Sequence, residues 1–438
     1  MKQKIKLTLF ALVFVNVIVQ AQPTMSLKEA VKYALNDNTD IKKQNLSILQ
    51  SRQKAKEVVG QGLPQINGSA QLNDNLILPT TVLPGEIFGS PGTQMAVKFG
   101  VQYSMPLSVH ADQLLYNQAY LVGIQQAKAA VTLSETNNEK IKQDVVYNVA
   151  SAYYQAIIVR EQGNLIKANL EKVQQSLNVV QSQYDNQMAR KIDLDQLKVT
   201  LANTQTDFEN SQVQFSYTLD NLKILMGYPV NDTLILNEKF SDNPEFIPQN
   251  TVSKNPKISL LKNQELLKQL EIKGIKAGNI PSLAAFASYG YQSQFNDWKG
   301  QIKFHRNSLI GLQLSVPIFD GLQRHRKVQQ RQYELESIEL DQQLLSNSLN
   351  AQYNNAVKKY LQNQKNVNNQ EENLNLAKSV YDAMQNNYKN GLASLSDLIN
   401  SDTNLKNAQT QYLTSLLQLK ISSLDILYVN GNMNQLSN

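Results

Sequence analysis

Two hydrophobic periods alternate along this chain, and the alternation occurs twice. From Met95 the apolar residues fall on odd positions, Val97, Phe99, Val101, Tyr103 and Met105, with Lys98, Gly100, Gln102 and Ser104 between them. That is the period of a strand with one apolar and one polar face. Ile66, Gly68, Ala70 and Leu72 repeat it more weakly, and Ile310, Leu312, Leu314 and Val316 repeat it clearly. Leu283–Tyr291 gives a fourth strand, with Ala285, Ala287, Tyr289 and Tyr291 on one face, although Phe286 interrupts the alternation. Elsewhere the period is helical. Ile166, Leu170, Val173, Leu177, Val180 and Tyr184 step by 4, 3, 4, 3, 4, and Leu374, Ala377, Tyr381, Met384 and Tyr388 share that phase, so each set forms a coiled-coil seam.

Proline placement frames these segments. None of the twelve lies between Leu107 and Tyr228 or after Ile318, which leaves two windows of about 120 residues for long helices. Each window breaks once, at about 185–192 and about 389–395, where Asn, Gly and Ser mark a helix-to-helix turn. Two shorter helices, Leu27–Gly62 opened by Ser26 and Lys254–Gly278, are expected to stack end to end with the return helices so that the long arms are packed along their length.

The chain is internally duplicated. A shift of about 204 residues carries Tyr184, Asn186, Ala189, Asp193, Leu194 and Gly227 onto Tyr388, Asn390, Ala393, Asp397, Leu398 and Gly431. Pro64 and Pro106 correspond to Pro281 and Pro317, which places strand-helix junctions at all four prolines. The expected organisation is a leader at 1–21, a first repeat at 22–227 with its hairpin at about 64–106, a connector at 228–255, a second repeat at 256–431 with its hairpin at about 281–317, and a tail at 432–438.

Composition narrows the class. The leader combines Lys2, Lys4 and Lys6, an apolar core of about 13 residues and a Val-Gln-Ala cleavage pattern, which marks export. Cysteine is absent, so disulfide frameworks and thiolate metal sites are excluded. The formal charge of +6 includes three leader lysines and is too small to argue for nucleic acid. No apolar run after the leader reaches the length of a spanning helix, so a membrane crossing would require a closed barrel. Four strands are too few to close one, since about eight is the practical minimum. Three copies would supply twelve, with the polar stripe facing a lumen and the apolar stripe facing lipid. The alternative is a non-conducting periplasmic coiled-coil scaffold whose strands fold as a soluble sandwich, with the apolar stripe inside.

Two segments carry a family resemblance. Leu314-Ser-Val-Pro-Ile-Phe-Asp-Gly321 resembles the strand-to-helix junction of the TolC-like outer membrane efflux proteins, and Tyr388-Lys-Asn-Gly-Leu-Ala-Ser-Leu-Ser-Asp-Leu398 resembles their periplasmic helix-turn signature. The first copy departs from the pattern, with Gln187 in place of a common Gly and Leu107-Ser-Val-His in place of Phe-Asp-Gly. The resemblance implies a mainly α fold with a β-barrel part, in which a homotrimer joins a twelve-stranded barrel in outer membrane lipid to a long helical tunnel in the periplasm. It implies a passive exit duct for efflux or type I secretion that works with a periplasmic adaptor and an inner-membrane pump of RND or ABC type.

The resemblance also implies a gate. Asp397 matches the family's ring aspartate, and Asn400 stands where a second aspartate falls, so one carboxylate ring becomes an amide ring with weaker cation block. Tyr388 and Asp193 match two members of the family's latch, whereas Ala393 replaces its arginine. A looser closed state, or one latched by Arg190 or Lys191, is therefore expected. Gly391, Leu392 and Ser394, with Ala189 and Arg190 in the first copy, fall at the adaptor-contact turns. The residue types also allow plainer roles: aspartates at helix starts serve as caps and dipole partners, and a seam tyrosine serves as core.

Chemistry is otherwise sparse. His110, His305 and His325 lie far apart without metal-ligand spacing, and no nucleophile motif or phosphate loop occurs, so neither an enzyme, a cofactor nor a metal site is expected. Arg324-His-Arg-Lys327 is a short basic run past Pro317, fit for a solvated helix face or a membrane-proximal anchor, and Trp298 and Phe304 sit in the loop of the second hairpin, where aromatics mark a bilayer interface.

Overall fold

The computed structural model describes residues 24–437 except 90, 238–248 and 300–301; the expected leader and part of the connector lie outside the described residues. In chain order the elements are β1 (Thr24–Met25), α1 (Leu27–Asp37), α2 (Thr39–Gly60), β2 (Gln65–Ala70), β3 (Asn73–Asp74), β4 (Thr80–Pro84), β5 (Gln94–Lys98), β6 (Tyr103–Tyr116), α3 (Gln118–Asp185), α4 (Lys191–Met226), β7 (Ile235–Leu236), α5 (Pro256–Ala277), β8 (Ser282–Phe295), β9 (Phe304–Ser315), α6 (Gln323–Lys389) and α7 (Leu395–Val429). They fall into two compact units that cut across the duplication: Met1–Lys42, Ile141–Asn255 and Asn350–Asn438 form one, and Lys43–Lys140 with Pro256–Leu349 the other. Each unit holds pieces of both copies.

The first unit is helical and carries the main core. Ala30, Val31 and Ala34 of α1 pack with Val146, Val149, Tyr153 and Ile157 of α3, Leu222 and Met226 of α4, and Leu424 and Leu427 of α7. A short parallel pairing of β1 with β7 closes one side, and the Tyr153 hydroxyl donates to the Met25 carbonyl at 3.0 Å. Ser26 opens α1 through a reciprocal pair of bonds with Glu29, as its position before the apolar run predicts. The single helix expected over Leu27–Gly62 is in fact two. Asn38 interrupts it because its side chain caps α2, accepting from the Asp40 and Ile41 amides at 2.8 and 3.2 Å and donating to the Leu225 carbonyl at 2.7 Å. Gly227 ends α4 at φ +74° beside that break, where a Cβ would lie 2.5 Å from the Asp37 carbonyl oxygen. Only glycine fits there.

The second unit holds one antiparallel sheet in the order β2-β6-β8-β9, with β3 also on β6, and a separate β4-β5 ribbon. Beneath it, Gln44 and Arg52 tie α2 to Ser134 and Glu135 of α3, Gln126 ties α3 to the Leu270 carbonyl of α5, and Gln342 of α6 bonds Glu265 of α5. Register defines the two faces. Ile66, Ala111, Ala287 and Ile310 stand opposite one another across all four strands, and the row three residues along, Ser69, Ser108, Gly290, Asn307, belongs to the other face. The apolar row is uncovered: Ile66 is 70% and Ile310 83% exposed. Phe286, which broke the alternation, lies on the polar face and covers Gly311, where a Cβ would meet its ring. Tyr103, Phe295 and Trp298 cluster at the loop end, with ring centroids 4.9 to 5.5 Å apart.

The first hairpin differs from expectation at its second strand. The alternation at 95–105 does not form one strand: β5 ends at Lys98, Gly100 adopts φ +113°, and β6 runs from Tyr103 through Pro106 to Tyr116. Pro106 is therefore inside a strand rather than at a strand-helix junction. A proline sacrifices one ladder donor, and here the Pro106 carbonyl still accepts from the Gln71 amide at 3.0 Å. The long arm accordingly begins at Gln118. Pro64 immediately precedes β2, Pro281 immediately precedes β8, and Pro317 lies between β9 and α6. No described helix is long and apolar enough to cross a membrane.

Candidate functional site

The two helix-to-helix turns share their local geometry. In the first copy α3 ends at Asp185, Gln187 adopts φ +64°, and Arg190 precedes α4; in the second α6 ends at Lys389, Gly391 adopts φ +73°, and Ser394 precedes α7. The backbone bonds match as well: Gln187 N to Tyr184 O and Met188 N to Gln183 O in one, Gly391 N to Tyr388 O and Leu392 N to Asn387 O in the other. Both are left-handed helix ends of the Schellman type. The departure at Gln187 therefore leaves the shape intact, at a strain cost of about 1 kcal/mol for a side chain in that region.

The turns meet in one hydrophobic cluster. Val180 of α3, Leu194 and Leu197 of α4 and Leu395 of α7 are buried together, with Leu177, Ala189, Tyr388 and Ile399 packed around them. Tyr388 is half-buried, and that burial, reinforced by the nearby Asp193 carboxylate, raises its phenol above the usual range. Asp193 is held by Arg190, whose Nε and Nη2 donate to the two carboxylate oxygens at 2.9 and 2.8 Å. The same bonds keep the Asp193 carboxyl below its ordinary 3.8. Of the two cations expected as substitutes for the family's missing arginine, Arg190 is the one bonded to Asp193, and it is bonded within its own chain.

Asp397 does something different in the chain. It is exposed, and its Oδ2 accepts from the Ser394 hydroxyl at 2.6 Å and the Ser394 amide at 3.2 Å, while Ser394 Oγ caps the Asp397 amide. These bonds lower its carboxyl and form a capping box. Asn400 is exposed one turn further on. Gly391 and Leu392 project at the turn, Leu392 with 77% of its surface free. The structure thus brings Tyr388, Asp193, Ala189 and Arg190 together and leaves Asp397, Asn400, Gly391 and Leu392 outward.

Beside the cluster lies a cleft of about 280 Å³ lined by residues of α3, α4, α6 and α7. Asp402 pairs with Lys406 at 2.8 Å, and the Asn169 amide, oriented to satisfy both, donates to Asp402 and accepts from Lys406. Lys172 sits over the Tyr381 ring at 5.5 Å. Sequence inspection missed this polar clasp; the four-residue spacing of Asp402 and Lys406 was the available signal. A second missed feature crosses α3 and α7 in the same unit. Tyr147 donates to Asp425 at 2.7 Å and Tyr428 donates to Asp144 at 2.6 Å, the two rings lying 5.0 Å apart. Burial, with the hydrogen bond to Asp425, pushes the Tyr147 phenol up to about 12.

Comparison with known proteins agrees with this geometry. Residues 248–432 match the outer membrane efflux protein family. The outer membrane protein TolC of Salmonella enteritidis is 22% identical over 356 residues, covering 75% of this chain and 69% of that protein, and the TolC of Vibrio cholerae is 20% identical over 421 residues, covering 89% and 90%. The crystal structure of the Campylobacter jejuni CmeC outer membrane channel superposes with a TM-score of 0.71 at 18% identity, covering 93% of this chain and 85% of that one. That likeness shows a shared fold, which in this chain consists of paired long helices and an antiparallel sheet with open edges. In sequence the chain is similar to the outer membrane protein TolC, and in fold to the solved outer membrane channels.

Proposed function

We propose that three copies of this chain form an outer membrane exit duct for an efflux or secretion system, with the helices forming a tunnel in the periplasm. The observation that carries this reading is the sheet. It has an exposed apolar face, a polar face and two open edge strands, β2 and β9, an arrangement that neither buries itself nor protects its edges from further pairing. Joining β9 of one copy to β2 of the next closes twelve strands, faces Ile66 and Ile310 to lipid and leaves Ser108 and Asn307 in the lumen. A soluble sandwich would instead have to cover the apolar row.

In this assembly the tip cluster is the resting closure. Asp397 and Asn400 recur three times around the axis, so the exposed carboxylates concentrate a negative field where the tunnel is narrowest, and the amides add no charge to it. The Arg190–Asp193 pair beside Tyr388 is the latch, and the helix turns that contain Ala189–Arg190 and Gly391–Ser394 receive a periplasmic adaptor that links the duct to an inner-membrane pump. This reading assigns no catalytic residue and no cofactor. Fractionation tests it: detergent should extract a particle three chains in mass from outer membranes. Release of a single-chain species by osmotic shock alone would overturn it in favour of a periplasmic scaffold.

A further inference from the structure

We propose that the junction between β9 and α6 binds the headgroup of an anionic phospholipid in the leaflet that faces the periplasm. This rests on the membrane-spanning reading of the sheet and adds a specific lipid partner to it. The apolar positions of β9, Ile310, Leu312 and Leu314, continue past the strand end into Val316, Ile318 and Phe319, and the last two are 94% and 80% exposed. Cations follow at once in Arg324, Arg326 and Lys327. A greasy band that passes within a few residues into a basic run is the profile of a surface lying at the headgroup level.

The junction is also concave. A cavity of about 430 Å³ is lined by Ile318 and Phe319 on its apolar side and by Lys276, Asn279, Arg324 and His325 on its polar side. Arg324 is positioned there, donating to Asn279 Oδ1 at 3.0 Å and standing 3.5 Å from Asp320. Asp320 is the one carboxylate in the cavity. Arg324 offsets its charge, and its Oδ2 also accepts from the Arg324 amide at 3.2 Å, so it does not cancel Lys276. Gly321 and Leu322 both adopt left-handed backbone, at φ +66° and +64°. A non-glycine residue held there carries strain of the kind kept at functional sites.

The duplication supplies an internal comparison. The first-copy junction after β6, Tyr116-Asn117-Gln118, has no Lys or Arg anywhere between Lys98 and Lys128. The architecture does not require cations at a strand-helix junction, so the second-copy cluster is an addition. Each chain would hold one lipid and each trimer three. The apolar wedge would lie among acyl chains while Lys276 meets the phosphate, beside the Arg324–Asp320 pair.

Native mass spectrometry of the detergent-purified trimer tests this, counting retained dioleoylphosphatidylglycerol against dioleoylphosphatidylcholine. The expected result is preferential retention of the anionic lipid. Lys276→Gln should weaken it about fivefold, the contribution of one cation near an anionic surface, and leave the zwitterionic lipid unchanged. Phe319→Ser, which alters only an exposed side chain, should weaken both lipids. Equal retention of the two lipids by the unaltered trimer, or no effect of Lys276→Gln, overturns the proposal. So does displacement of the lipid by millimolar glycerol phosphate, which would show a phosphate site rather than a lipid site. Failure to recover trimers at all would instead count against the duct, whereas trimers that conduct but show no lipid preference count against the lipid site alone.

Discussion

Removing the Leu395 side chain should open the tip. Leu395 is 3% exposed and brings the second-copy return helix onto Val180, Leu194 and Leu197 of the first copy. Leu→Ala at a buried site costs about 2–5 kcal/mol, made up of lost transfer energy and a residual cavity. The cluster has only four buried members and half-exposed flanks at Leu177, Tyr388 and Ile399, so neighbours can settle into the space and the cost falls near the low end, about 2–3 kcal/mol. If the cluster holds the two helical hairpins together, that energy shifts the equilibrium between apposed and separated tips by about 30- to 150-fold. The assay is single-channel recording of the purified trimer in planar bilayers, with Leu392→Ala as control because that side chain is 77% exposed. Leu395→Ala should lengthen high-conductance dwell times markedly, and Leu392→Ala should not. Unchanged gating in a Leu395→Ala trimer that remains folded would refute the assignment of the cluster as the closure.

The Asp193 carboxyl is depressed by Arg190, so its stabilisation is present above the ordinary 3.8 and is lost as pH falls through the lower folded value. Conductance should therefore stay flat from neutral pH down to about 4 and rise only below it, and Asp193→Asn should remove that acid limb. Tyr147 has a raised phenol, so its bond to Asp425 is complete below the ordinary 10.0 and is lost as pH rises toward about 12. Tyr147→Phe should lower the thermal midpoint at pH 8, by about 1 kcal/mol in stability, and have little effect above pH 12. Gly227→Ala forces a Cβ against the Asp37 carbonyl at φ +74°, whereas Gly321→Ala at φ +66° meets open space. Chemical denaturation should show Gly321→Ala costing about 1 kcal/mol and Gly227→Ala distinctly more.

Periodicity exposed the architecture because a duplicated amphipathic pattern has few physical solutions. The heptad phase located Val173, Val180 and Tyr381 as buried positions, and the turns at Gln187 and Gly391 follow from helix-end chemistry repeated at one offset. Pro106 misled because proline usually ends a regular element, whereas here a partnered carbonyl lets the strand run through it. Asn38 was missed because a capping asparagine inside an otherwise helical pattern looks like any polar position until its long-range bond to Leu225 is known. The same limit hid the Tyr147–Asp425 and Tyr428–Asp144 pairs, whose partners lie nearly 300 residues apart. At the tip, Tyr388 stands near Asp193, the two residues that the motif singled out. The Arg190–Asp193 bonds and the bridging role of Asn169 depend on side-chain geometry that spacing does not specify.

The claim that three four-stranded sheets close into one conducting barrel is tested most directly by ion conductance of the purified particle in a planar bilayer. Discrete, uniform current steps are expected from a particle of three chains. A folded three-chain particle that inserts into the bilayer and passes no current would contradict it.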